Sequence, residues 1–141
     1  MAYLEWSPTF ETGIPGIDYE HRKLVGLLNE IHASIAEGAE AEAIADELVE
    51  FHTLATGHFA LEEAIMQDEK YAGLDERRTA HHRLLDQVGE IIEACEAGCC
   101  QIDESLPSTL KDWLLEAIAG DVAMLAAMGE AGLHRRGLRR G

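Results

Sequence analysis

Apolar residues recur along this chain at intervals of three and four, and four stretches carry the recurrence. The first aligns Ile17, His21, Leu24, Leu28, Ile31 and Ile35 on one face, with Asp18 placed to cap a helix starting near Tyr19 and Gly38 placed to end it. The second runs over about residues 40–69 with Ile44, Leu48, Phe51, Leu54, His58, Glu62 and Ile65 inward, and Gly57 offers room for a neighbouring helix. Residues 70–73 read as a turn. A third stretch, about 75–97, turns Leu74, Arg77, His81, Leu84, Val88, Ile91 and Cys95 inward. Pro107 suits a first helical turn, and Leu110, Trp113, Leu114, Ala117, Asp121, Leu125 and Met128 then share one face. Four amphipathic helices on short connections predict an all-α, up-down-up-down four-helix bundle.

Outside the periodic stretches, residues 1–16 hold aromatics and turn formers and read as an irregular arm lying across the bundle, which itself extends to residue 129. Residues 130–141 are basic and glycine-containing, the composition of a disordered tail that can fold onto the acidic body or meet an acidic partner. Composition narrows the function classes. The 141 residues contain 11 Lys and Arg against 27 Asp and Glu, a formal net charge of -16. Such a body repels nucleic acid and anionic membranes and attracts cations. No stretch has the apolar length of a membrane span, and no secretion signal is read at the start, so a cytoplasmic monomer or homodimer is expected. Cys95, Cys99 and Cys100 cluster in an odd number, which reads as reduced structural thiols or a redox-responsive pair rather than a disulfide framework.

Several inward positions are not apolar. His21 lies on the first helix, His58 with Glu62 on the second and His81 on the third, and Asp121 falls on the inner face of the fourth. An imidazole or carboxylate in a core is costly unless paired, hydrogen-bonded or metal-bound. One buried histidine is an ordinary structural feature; ligand-type residues from several helices facing one interior point to a metal. Two imidazoles and a carboxylate form the set used by non-haem iron, and zinc accepts them too.

The order of these residues resembles the bacterial hemerythrins. Leu4-Glu5-Trp6 and Gly13-Ile14-Pro15-Gly16-Ile17-Asp18 before His21 look like that family's opening. His58-Phe59 with Glu62-Glu63, then Met66 and Tyr71, look like its second helix, and Leu110-Lys111-Asp112-Trp113-Leu114 with Ile118 like its fourth. The resemblance implies two non-haem irons that bind oxygen reversibly, held by five histidines, a bridging glutamate and a bridging aspartate. His21 and His58 match the ligands of one iron, Glu62 matches a bridge, and His81 matches one histidine of the third helix's pair. Three positions depart: Arg77 and Ala117 stand where histidines belong, and counting from Trp113 brings the bridging aspartate to Val122, with Asp121 one place early. Arg77 either pairs with Glu62 or Asp121 in place of a missing cation or extends to the bundle end.

The functional expectation is a hemerythrin-like protein holding one non-haem iron, or zinc, that binds or senses oxygen or another diatomic gas, or stores metal. Trp113, Leu114 and Ile118 would be the wall of its gas pocket. The alternative is a metal-free bundle with a ligand-binding, sensory or interaction role, with space left by Ala117 for haem or another small molecule. No nucleophile or separate acid–base pair stands out, so an enzyme is not expected beyond a weak oxidase or peroxidase-like activity.

Overall fold

Each periodic stretch forms a helix in the computed structural model, which describes residues 2–98, 102, 103 and 105–140, the side chains of 129–140 excepted. Helix α1 spans Pro15–Ala36, α2 Ala41–Asp68, α3 Leu74–Glu96 and α4 Ser105–Arg140, and a 3-10 turn at Pro8–Phe10 precedes them. Among the described residues there is no strand, so the chain forms the expected all-α bundle with an N-terminal arm. Helix α1 packs against α2 and α4, and α2 against α3. The ring closes between α3 and α4, where the Trp113 indole N–H donates to the Leu84 carbonyl at 2.7 Å.

Two apolar clusters fill the interior. The larger includes Leu24, Leu28, Phe51, Ala55, Phe59, Leu84, Leu114 and Ile118. The smaller gathers Ile17, Met66, Met124, Leu125 and Met128. Along every helix the inward polar residues fall beside or between these clusters: His21 follows Ile17 and precedes Leu24, while Asp121 follows Ile118 and precedes Met124. The helical repeat thus stacks one polar layer between two dry ones. Among the described residues, no helix is long and apolar enough to cross a membrane.

Two local expectations are corrected. Helix α1 begins at Pro15, a turn earlier than Tyr19, because proline's fixed φ and missing N–H suit the first helical position. Asp18 therefore lies inside the first turn and caps nothing. Its carboxylate instead accepts from the Thr12 N–H at 2.7 Å, the Thr12 hydroxyl at 2.8 Å and the Gly13 N–H at 3.1 Å. Partial burial raises its pKa, but the bonds from Thr12 and Gly13 outweigh that and hold it below the ordinary value. Gly57 is exposed, and a Cβ there would meet nothing within 4 Å, so no helix approaches through it. Cys95 is buried in the core, whereas Cys99 and Cys100 lie outside the described residues. The expectation of a disordered basic tail falls on positions whose side chains also lie outside that set, although the α4 backbone continues to Arg140.

The arm is tied down rather than draped. Asn29 of α1 accepts the Leu4 N–H at 2.8 Å and donates to the Leu4 carbonyl at 3.1 Å. Tyr3 stacks on His32 at 4.0 Å, and the Arg22 guanidinium sits 4.1 Å above the Trp6 ring. Asn29→Ala removes both amide bonds and is expected to cost about 1–3 kcal/mol in denaturant unfolding, with faster hydrogen exchange at the Leu4 amide. Unchanged stability and exchange would mean that apolar contacts alone hold the arm.

Candidate metal centre

The polar layer brings together the four inward residues expected as ligands on the first three helices and adds Asp121 from α4. Among the described residues, His21, His58, Glu62, His81 and Asp121 are the buried polar or charged side chains, with His21, Glu62 and Asp121 each 0% exposed. Potential ligand atoms fall into two groups, each within 4.8 Å: His21, His58 and Asp121, and Glu62, His81 and Asp121. Asp121 belongs to both. Oδ2 of Asp121 lies 3.1 Å from Nε2 of His21 and 3.0 Å from Nε2 of His58. Glu62, one turn after His58 on α2, brings Oε1 to 2.6 Å from the same Nε2.

Each histidine is held from behind. The His21 Nδ1–H donates to the Phe10 carbonyl at 2.9 Å, that of His58 to Glu20 on α1 at 2.8 Å, and that of His81 to Glu63 on α2 at 2.8 Å. An acceptor on Nδ1 places that proton there and leaves Nε2 as the inward nitrogen, the arrangement found behind metal-binding imidazoles. His81 is further fixed by Phe59, whose ring stacks on it at 4.0 Å and 4°. The Phe59 ring also meets Trp113, so an aromatic row runs from the apolar core to the edge of the centre.

Without a metal, protons must take its place among these groups. Burial works against a charged His58 ring, but its bond with Asp121 and the close Glu62 carboxyl outweigh it and lift the pKa to about 10. Burial, reinforced by the nearby Asp121 carboxylate, pushes Glu62 up to about 8 despite the opposing pull of His58. Asp121 goes the other way: burial opposes its charge, yet its bonds with His21 and His58, and the neighbouring Glu62 carboxyl, hold it below the usual carboxylate range. His81 is shifted down, by burial first and by Arg77 after it, against the pull of Glu63.

The donor set fits a cation in the first group. Two inward imidazole nitrogens converge there on one Asp121 oxygen, and Glu62, whose buried oxygens have no conventional hydrogen-bond partner, brings Oε1 to 2.6 Å from the His58 Nε2. The second group fits poorly. Arg77 of α3 extends into it, its NH2 donating to Asp121 Oδ1 at 3.2 Å, so the guanidinium pairs inward rather than leaving for the bundle end. Ala117, one turn before Asp121, is buried and offers only a methyl group. Val122 is partly buried against the larger apolar cluster. These two incomplete ligand sets suit one non-haem metal ion or none, rather than a pair.

Sequence reasoning missed Glu20, Glu63 and the Phe10 carbonyl. The two glutamates carried a signal: each adjoins a ligand-type residue, Glu20 before His21 and Glu63 after Glu62. One step along a helix turns a side chain by about 100° and aims it at the neighbouring helix's histidine instead of the centre. Nothing in the side chains announces a main-chain acceptor.

Known proteins share both the sequence and the shape. The Hemerythrin HHE cation binding domain matches residues 12–127. A bacteriohemerythrin of Pseudomonas aeruginosa is 32% identical over 123 residues, covering 87% of this chain and 79% of that protein. Another, of Stenotrophomonas maltophilia, is 31% identical over 138 residues, covering 96% and 87%. The crystal structure of a hemerythrin mutant superposes with a TM-score of 0.82 over 91% of this chain and 98% of the other, at 22% identity, a likeness of fold. A domain match across most of the bundle, together with a centre that keeps part of a paired-metal ligand set, makes this chain a member of the hemerythrin family with an incomplete metal site.

Proposed function

We propose that the chain binds one non-haem iron through His21, His58, Glu62 and Asp121 and serves to bind or sense oxygen or another diatomic gas. The observation that carries the reading is the locking of His21 and His58 at Nδ1, which aims both Nε2 atoms at one carboxylate oxygen. When bound in such a set, ferrous iron keeps coordination positions that a small diatomic can take. The protein's own part is to orient and to exclude water. Glu20 and the Phe10 carbonyl fix the two rings, and Asp121 and Glu62 supply negative charge. Trp113, Leu114 and Ile118, all buried, contribute an apolar side against which a gas molecule is not in competition with bulk water. Zinc is accepted by the same donors. The groups at the centre are ligand types bonded to fixed partners, so the reading is of a binding protein in the cytoplasm rather than an enzyme.

A second reading, a metal-free bundle with a sensory or interaction role, draws support from Arg77, whose ion pair already neutralises Asp121. Metal analysis and calorimetry separate the two. Anaerobic ferrous iron at a hundredfold excess over its dissociation constant is expected to stabilise the chain by about 2.7 kcal/mol, and His58→Ala to abolish the effect. Iron-loaded protein is expected to change its absorbance reversibly on exposure to oxygen or nitric oxide. Melting that ignores iron, in a protein retaining none after desalting, would favour the metal-free bundle.

Proton competition gives an independent check. Folded His58 and Glu62 stand at about 10 and about 8, above their ordinary values of 6.5 and 4.5. Their stabilising contribution is complete below those ordinary values and is lost as pH rises through 8 and then 10. A divalent ion must expel these protons, so metal affinity rises over the same window. Zinc is therefore expected to raise the melting temperature more at about pH 8.5 than at about pH 6.5. An equal or smaller rise at the higher pH would count against ligation by His58 and Glu62.

A further inference from the structure

We propose that Arg77 is a tethered second cation, its guanidinium occupying the place of a second metal ion, and that Gly120 is the residue that makes room for it. The NH2 of Arg77 donates to Asp121 Oδ1 at 3.2 Å and lies 3.4 Å from Nε2 of His81. Those two acceptors belong to the second group of potential ligands, whose third member is Glu62. One guanidinium nitrogen thus engages lone pairs from two of the three groups that a second ion would need. Asp121 divides its oxygens accordingly, Oδ2 to the imidazoles of His21 and His58 and Oδ1 to the arginine. A buried carboxylate is then satisfied on both sides although only one side is open to a metal.

The space for this arrangement comes from α4. A Cβ at Gly120 would lie 2.9 Å from NH1, 3.1 Å from NH2 and 3.3 Å from Cζ of Arg77. The guanidinium therefore lies against bare backbone one residue before the aspartate it binds. It accepts a cost to be there, since its buried Nε has no hydrogen-bond partner. An imidazole yields its proton to an incoming metal; a guanidinium keeps its charge throughout the working pH range and does not. The second half of the centre is closed by charge as well as by bulk.

This inference rests on the one-metal reading for what the first half holds, but not for the place of Arg77. Cobalt(II) titration followed by visible absorption, with metal counted after desalting, tests it on the native chain, Arg77→His and Arg77→Ala. The native chain is expected to saturate at one ion. Both variants are expected to take one ion more than the native chain. The alanine variant should bind that added ion at least tenfold more weakly, because it opens space without adding a ligand. Should neither variant fold, Gly120→Ala carries the test: alanine favours the helix, and its one added carbon, 2.9 Å from NH1, obliges the guanidinium to shift while adding little bulk, so a second ion is again expected. Folded variants that bind no more cobalt than the native chain overturn the proposal, as does a native chain that takes two ions. No ion in the native chain with one in Arg77→His would overturn the reading of the first half and uphold the role of Arg77.

Discussion

A carboxylate at 0% exposure cannot stand alone, and the interior of this bundle is arranged around that fact at Asp121. Leaving such a charge unpaired costs several kcal/mol, a large part of a domain's whole stability. Each neighbouring helix answers with a cationic or proton-bearing group: His21 from α1, His58 from α2 and Arg77 from α3. Those groups are in turn held by Phe10 and Glu20, and His81 by Glu63. The result is a polar layer with its own scaffolding, set between two apolar clusters that keep it dry. Metal affinity and fold stability are consequently drawn from the same residues.

Much of this was legible in the residue pattern, for a definite reason. A helix of 3.6 residues per turn converts spacing into direction, so Ile17, His21, Leu24 and Leu28 had to share a face, as did Ala55, His58 and Glu62. All seven are buried. Pairings across helices were less readable, since spacing says which way a side chain points but not what it meets. Spacing leaves Arg77 between two fates, and the bare backbone of Gly120 on α4 lets its guanidinium reach Asp121.

Register on α4 was harder still. Counting from Trp113 led to Val122 for the acidic position, yet Asp121 is the residue that reaches the imidazoles. Adjacent helical positions differ by about 100°, so a count that slips by one exchanges a central group for a peripheral one. Asp18 shows a different limit. Its composition suits a cap, but Pro15 had already begun the helix, and the carboxylate was free to bind the loop behind it.

The acceptor behind His21 differs in kind from those behind His58 and His81, being the carbonyl of Phe10 rather than a side chain. Every amino acid has that oxygen, so substitution at position 10 cannot delete it. Its position depends instead on the path of the arm through Thr12 and Gly13 to Asp18. Drift among relatives can therefore exchange the aromatic ring and spare the imidazole's orientation, whereas the gain or loss of a single residue between Phe10 and Pro15 would rotate it away. The length of that loop therefore bears on the His21 ring more directly than the side chain carried at position 10.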